Sequence, residues 1–158
     1  IKKRVQLALG RRVHTQSDHV IVCGLGRLGH LVAEELLARN ERVLVIEQNE
    51  DNGTLEYLRA LGADVYIGDA RSPRVLQESG VRRAKALYSL VANDFVNLEI
   101  GLNARSFDPD LRLVLRIFDE SMARRIQEHL DIHLSNSMSA IADERFVESA
   151  IGPADSPR

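Results

Sequence analysis

The fold of this chain is decided by residues 19–29, whose sequence is HVIVCGLGRLG. An apolar run typical of a buried strand leads into a G-x-G-x-x-G motif, and a helical pattern follows at once. In such a motif Gly24 permits a tight turn, Gly26 lets a pyrophosphate approach the backbone, and Gly29 lets the helix pack closely on the strand. The helix N-terminus adds amide donors and partial positive charge. This segment therefore predicts a phosphate-binding turn between a strand and a helix.

A second apolar run, residues 42–47, ends on the carboxylate of Glu47, about 20 residues beyond the glycine motif. An acidic residue at this spacing accepts hydrogen bonds from the hydroxyls of a bound ribose. Its charge disfavours the 2′-phosphate of NADP, and the neighbouring Gln48 supplies no compensating cation. The turn, the helix and the acidic residue together predict a nucleotide-binding Rossmann domain.

Strand-like apolar runs alternate with helical patterns along the rest of the chain. Strands are predicted at residues 19–23, 42–47, 64–67, 86–91, 111–117 and 132–134, and the last helix at residues 138–151. Such alternation with short connections is typical of parallel sheets covered on both faces. We therefore predict an α/β fold with a doubly wound parallel sheet of about six strands over residues 18–151. Residues 152–158 are predicted to form a loose tail.

Charge is distributed unevenly along the 158 residues. Residues 1–13 contain five Lys or Arg and no acid, which leaves 16 basic against 23 acidic residues, a formal charge of −7, in the remainder. So acidic a domain would repel nucleic acid, and we expect no nucleic-acid partner. The basic segment 1–17 suits the cytoplasmic flank of a membrane helix, and a solvated linker is the alternative.

These segments together resemble the N-terminal half of the RCK domain (regulator of K⁺ conductance), also called the KTN or TrkA-N domain. Residues 22–29 are similar to the glycine loop of that family, including the arginine inside its motif. Residues 68–70, Gly-Asp-Ala, resemble the segment that the family places beside the adenine, and residues 93–97 resemble its polar loop after the fourth strand. Arg116 stands where family members often have an arginine directed at phosphate.

The motif, the acidic residue and the resemblance define one set of candidate nucleotide contacts. They are Gly24, Gly26, Arg27, Leu28, Gly29, Glu47, Gln48, Asp69, Ala70, Asn93, Asp94, Asn97 and Arg116. ATP, ADP or NAD(H) could fill such a site, because each carries an adenosine ribose for Glu47.

The resemblance implies a regulatory domain at the cytoplasmic face of the cell membrane that gates a K⁺ channel or K⁺ transporter. Residues 1–17 would then be the juxtamembrane linker. The resemblance also implies a homodimer, with the last helix crossing between subunits, inside a larger ring. On this reading the domain is not an enzyme. Two alternatives are the cofactor domain of an NAD-dependent oxidoreductase and a Rossmann scaffold that binds no nucleotide.

Three of the candidate contacts have a second interpretation. Arg27 reaches a phosphate or points into solvent. Asp69 orients the adenosine or only caps the turn before the next helix. Arg116 binds phosphate or forms a salt bridge with Asp119, because a cation that ends an apolar strand needs a partner.

We predict neither a metal site nor a reactive cysteine. His129 and His133 are four residues apart, but the helix is predicted to break near Leu130, so we interpret both as surface residues rather than metal ligands. Calcium-gated relatives carry carboxylates where this chain has Leu90, Arg116 and Phe118, so we expect no calcium site there. The single cysteine, residue 23, is predicted to be a buried core residue.

Overall fold

The computed structural model describes residues 17–130 and 132–135. In this part of the chain the strands are β1 (Val20–Cys23), β2 (Val43–Glu47), β3 (Asp64–Ile67), β4 (Ala86–Ser89), β5 (Arg112–Arg116) and β6 (His133–Ser135). The helices are α1 (Arg27–Ala38), α2 (Leu55–Ala60), α3 (Pro73–Glu78), α4 (Asp94–Phe107) and α5 (Glu120–His129), and a 3₁₀ turn covers Val81–Arg83. The basic segment before residue 17, the predicted helix 138–151 and the tail 152–158 lie outside the described residues.

The strands form one parallel sheet in the order β3-β2-β1-β4-β5-β6. The chain builds the sheet outward from β1 in one direction, through β2 to β3, and then from β4 to β6 in the other. The prediction of a doubly wound parallel sheet of about six strands is therefore confirmed. Strand order reverses between β1 and β4, and this is where a crevice opens at the carboxyl edge of such sheets.

Both faces of the sheet are covered, which explains why its strands are continuous apolar runs rather than alternating ones. In β1 the side chains of Val20 and Val22 pack beneath α1 and α2. Those of Ile21 and Cys23 pack on the opposite face, beneath α3, α4 and α5. Cys23 is fully buried, and burial raises the pKa of its thiol, so its side chain is a core residue as predicted.

The observed strand bounds lie within one residue of the predicted ones, except at the end of the fourth strand. The fourth strand ends at Ser89 rather than at residue 91. The backbone N–H and C=O of Val91 both bond to the side chain of Asn97, at 3.0 Å and 2.8 Å, instead of pairing with a neighbouring strand. A side chain six residues further along therefore ends the strand and shapes the loop that follows it.

A buried histidine lies at the opposite, amino edge of the sheet. His19 is fully buried, and its Nε2 donates to the carbonyl oxygen of Ser79 at 2.9 Å, which makes Nε2 the protonated nitrogen. Its Nδ1 is buried without a hydrogen-bond partner among the described residues. Burial lowers the pKa of His19 more than the bond to Ser79 raises it, so the neutral ring is favoured.

Candidate functional site

A cavity of about 380 Å³ lies at the carboxyl edge of the sheet, at the reversal of strand order. Its walls come from the ends of β1 to β5 and the loops that follow them. Eight of the thirteen predicted contacts line it: Gly24, Gly26, Glu47, Gln48, Asp69, Ala70, Asn93 and Arg116. The fold thus gathers into one space residues that are separated by up to 92 positions in the chain.

The glycine loop is shaped by two close approaches and one open position. Gly24 has φ of +89°, and a Cβ there would lie 2.6 Å from Cγ1 of Val91. A Cβ on Gly29 would lie 1.8 Å from the carbonyl oxygen of Gly24, so only glycine lets α1 pack this closely. A Cβ on Gly26 would meet nothing within 4 Å. Gly26 is also the N-cap of α1 and provides no side-chain cap, so the first amides of this helix remain open to an anion.

Glu47, the last residue of β2, is fixed by the backbone on both carboxylate oxygens. Its Oε2 accepts from the N–H of Leu25 at 2.8 Å, and its Oε1 accepts from the N–H of Asn49 at 2.9 Å. The side chain of Asn52 also donates to the carbonyl oxygen of Leu25 at 3.0 Å. Each carboxylate oxygen keeps a further acceptor site, so Glu47 can accept two more hydrogen bonds. Its contact with a ribose stays a prediction.

The loop after β3 contains an ion pair that the sequence did not predict. Nε of Arg71 donates to both oxygens of Asp69 at 3.1 Å, and Nη2 donates to Oδ2 at 2.7 Å. Asp69 also accepts from the backbone N–H of Arg71 at 2.9 Å and thereby caps the turn that leads to α3. The Arg71 guanidinium lowers the pKa of Asp69, with help from the side chain of Gln48. The turn-capping interpretation of Asp69 is therefore correct, and its contact with adenosine stays a prediction.

Asn97 is fully buried, and its side chain bonds the backbone of residues that line the cavity. Its Oδ1 accepts from Oγ of Ser89 at 2.9 Å and from the N–H of Val91 at 3.0 Å. Its Nδ2 donates to the carbonyl oxygens of Val91 and Arg116, both at 2.8 Å. Every donor and acceptor of this amide has a protein partner, and Asn97 does not line the cavity. We therefore revise its role from ligand contact to positioning residue.

Arg116 ends β5 and lines the cavity with its guanidinium 4.4 Å from the ring centroid of Phe118. Among the described residues no carboxylate lies within 4.0 Å of it. The predicted alternative of a salt bridge with Asp119 is wrong, because Asp119 caps α5 by accepting from the N–H of Met122 at 2.6 Å. Asp94 lies outside the cavity and accepts from the backbone N–H groups of Phe118 and Asp119 at 2.9 Å and 2.8 Å.

Three further predicted contacts lie in α1, outside the lining. The Leu28 side chain is in the core with 2% of its surface exposed, and Gly29 is packed against the loop. Arg27 is exposed to solvent. A ligand contact by Leu28 through its side chain is therefore excluded by its position, and contact through the amides of this first turn stays a prediction.

Sequence reasoning also missed lining residues. Besides Arg71 they are apolar or small: Leu25, Ile46, Gly68, Leu90, Val91, Ala92, Val96 and Ile100. Four of these eight, Ile46, Gly68, Ala92 and Val96, are next to a predicted polar contact in the sequence, and that adjacency was the available signal.

A second concave region of about 690 Å³ lies between α4 and α5. It contains several exposed apolar side chains, of which Phe95 is 72% exposed and Leu102 is 47% exposed. His129 lines this groove at the end of α5, while His133 begins β6, so the two histidines lie on different elements. In the described part of the chain no group of three or more His, Cys, Asp or Glu could hold a metal ion. Within the same residues no helix is both long and apolar enough to cross a bilayer.

Comparison with known proteins gives a family. Residues 20–135 match the family model of the TrkA-N domain. The probable potassium channel protein 2 of Methanocaldococcus jannaschii is 31% identical over 117 residues, which cover 73% of this chain and 34% of that protein. The voltage-gated potassium channel Kch of Escherichia coli is 32% identical over 123 residues, covering 76% and 30%. The chain thus spans about a third of the length of these relatives.

Solved structures share the fold. The TrkA-N domain of inner membrane protein ybaL from Escherichia coli is 26% identical, with a TM-score of 0.71 over 82% of this chain and 94% of that one. The AMP-bound Kef C-terminal domain of Shewanella denitrificans is 22% identical, with a TM-score of 0.66 over 78% and 73%. The GsuK channel bound to NAD is 17% identical, with a TM-score of 0.66 over 84% and 25%.

Proposed function

Because the chain belongs to the TrkA-N domain family, we propose that it is the cytoplasmic, nucleotide-binding regulatory domain of a K⁺ channel or K⁺ transporter. The observation that carries the proposal is the cavity in which Glu47 and the uncapped N-terminus of α1 face the same space. On this proposal Glu47 accepts the ribose and the first amides of α1 bind the phosphates, as at the matching positions of nucleotide-binding Rossmann folds. Arg116, which pairs with no described carboxylate, adds a cation for a phosphate on the far side.

The ligand is ATP, ADP or NAD(H) on this proposal, and NADP is disfavoured. All three carry an unmodified adenosine ribose, whereas a 2′-phosphate would meet the negative charge of Glu47. The solved neighbours support this range of ligands, since one binds AMP and another NAD.

Regulation requires that the nucleotide bind one arrangement of the assembled domains more tightly than another, because only differential affinity moves an equilibrium. We propose that the domain forms a homodimer within a larger ring and acts on a membrane-bound pore or transporter subunit. The exposed apolar groove between α4 and α5 supports association with another protein surface.

An enzymatic role has less support. Hydride transfer needs a proton donor beside the cofactor. Among the described residues that line the cavity there is no His, Tyr, Lys, Ser or Cys. Its two carboxylates, Glu47 and Asp69, already accept bonds from backbone N–H groups and from Arg71. A regulatory role requires only binding, and the lining provides the groups for it.

The proposal is tested by thermal unfolding of the chain with ATP, ADP, AMP, NAD, NADH and NADPH in turn. A ligand at about 100 times its Kd adds about 2.7 kcal/mol, which raises Tm by several degrees for a domain of this size. Glu47→Lys should abolish the shift, measured against the variant's own unliganded Tm. Glu50→Lys is the matched control, because Glu50 is an exposed acid outside the lining.

Either of two results would contradict the proposal. If no nucleotide shifts Tm, the domain is an assembly scaffold rather than a sensor. If Glu47→Lys keeps the full shift, the ligand does not use the cavity. In the full-length protein, the same variant should abolish the dependence of K⁺ flux on nucleotide.

A further inference from the structure

The cavity provides polar groups for a ribose and for phosphates, but among the described residues no aromatic side chain lines it. Nucleobases bound by proteins stack on aromatic rings or on the planar guanidinium groups of arginine. Two arginines line the cavity, Arg71 and Arg116. If the base of the bound nucleotide stacks on a planar side chain of the lining, that side chain is therefore Arg71 or Arg116.

The sheet order selects between them. Arg71 follows β3, which pairs with β2, the strand that ends on Glu47. Arg116 ends β5, three strands away from β2 in the order β2-β1-β4-β5. With the ribose on Glu47 and the phosphates at the N-terminus of α1 after β1, the base extends away from the phosphates, toward β3. Arg116 lies on the phosphate side, and its guanidinium already lies over Phe118.

Arg71 is held in a fixed plane. Its Nε and Nη2 both bond to the carboxylate of Asp69, a two-point contact that fixes the guanidinium more firmly than a single bond would. Its backbone carbonyl accepts from Nδ2 of Asn103 at 2.9 Å, which anchors the loop on α4. The side chain keeps 45% of its surface exposed, and no aromatic ring of the described residues lies over it. A flat cationic surface is therefore oriented before any ligand binds.

We propose that Arg71, held in plane by Asp69, is the stacking platform for the base of the bound nucleotide. This inference rests on the proposed nucleotide-binding function and assigns the part of the cavity that recognises the base. Lysine at this position would keep the positive charge but not the plane, so Arg71→Lys separates stacking from electrostatic attraction.

The test is displacement of a fluorescent ADP analogue from the 158-residue chain by AMP and by ribose 5-phosphate. The two competitors share the ribose and the phosphate and differ only in the base. Arg71→Lys should raise the Kd of AMP at least about fivefold, the lower end of what base stacking contributes. It should change the Kd of ribose 5-phosphate less than about twofold, because that ligand has no base to stack.

Arg74→Lys is the matched control, since Arg74 pairs with Glu78 on α3 and does not line the cavity. It should leave both Kd values unchanged. An unchanged Kd for AMP in Arg71→Lys would overturn the inference. An equal loss for both competitors would also overturn it, because Arg71 would then act as a charge. Failure of the wild-type chain to bind the ADP analogue would also overturn this inference. The proposed function would fall with it only if none of the nucleotides in the unfolding assay shifts Tm.

Discussion

Replacement of Gly29 by alanine tests whether the glycine loop positions α1 as described. The added Cβ would lie 1.8 Å from the carbonyl oxygen of Gly24 and 2.9 Å from its carbonyl carbon. Ordinary contacts begin near 3.4 Å, so the helix and the loop must separate by about 1.6 Å. Both obstacles are backbone atoms, which cannot turn away as a side chain can. Separation would also loosen Leu28 and Val32, which α1 buries in the core.

The expected cost follows from this geometry. Overpacking costs about 1–3 kcal/mol where neighbouring side chains can move aside. A clash with backbone atoms should cost at least as much as the top of that range. We expect Gly29→Ala to lower the free energy of unfolding by at least about 3 kcal/mol. For a chain of this length each kcal/mol corresponds to about 2–4 °C, so Tm should fall by about 6–12 °C. Urea denaturation followed by far-ultraviolet circular dichroism measures it, since the chain contains no tryptophan.

Gly26→Ala is the matched control in the same loop. Its Cβ would meet nothing within 4 Å, and the backbone of Gly26, with φ of −69° and ψ of −173°, is open to any residue. Stability should therefore fall by less than about 1 kcal/mol, the cost of an unfavourable N-cap. The methyl group would nevertheless enter the space where a phosphate approaches, so nucleotide-dependent stabilisation should be lost. A Gly29→Ala protein as stable as wild type would refute the reasoning, as would equal losses in the two variants.

Three further perturbations follow from buried or exposed side chains. Asn97→Leu removes the bonds to four polar groups, one of them buried and three partly buried, so the free energy of unfolding in urea should fall by about 3 kcal/mol. Wild-type stability would contradict the positioning role. Because burial lowers the pKa of His19, the unfolded chain binds more protons below its ordinary pKa of about 6.5. The free energy of unfolding should therefore fall as pH drops below about 6.5. His19→Gln keeps a hydrogen-bond donor but does not titrate, so it should weaken this pH dependence. Urea titrations at several pH values measure both. Phe95→Ser removes a side chain that is 72% exposed, so stability should change by less than about 0.5 kcal/mol.

The fold was predictable because its signals are local. A strand that is apolar on both faces, a glycine turn and an amphipathic helix are each encoded by a few consecutive residues. The segment from β1 to α1 contains all three. The end of β4 was not local, since it depends on a bond from Asn97 on the following helix. Here a side chain takes the hydrogen bonds that a neighbouring strand would otherwise make. Strand propensity cannot reveal this, because the bond forms only if α4 orients the side chain toward the strand.

The candidate site was predictable to the extent that residues follow directly after parallel strands, because the fold brings those positions to one edge. Gly24, Glu47 and Asp69 were located in this way. Residues inside the first turns of helices were not, because successive helical residues point in directions about 100° apart. Asp94 and Asn97 both follow β4, yet one bonds the loop after β5 and the other lies beneath the cavity wall.

The charges of the site show what spacing cannot decide. From the sequence, a salt bridge was considered between Arg116 and Asp119, which are three residues apart. None was considered between Asp69 and Arg71, which are two apart. The structure reverses both, because each carboxylate binds the donors that its local backbone presents. Asp119 stands at the start of α5, where an aspartate caps the free amides of the helix, and its carboxylate is thereby held away from Arg116. Asp69 stands in a turn whose N–H and guanidinium both come from Arg71. Because each carboxylate binds its local donors, Arg116 has no carboxylate partner among the described residues. For the same reason the guanidinium plane of Arg71 is fixed in the cavity that Glu47 also lines.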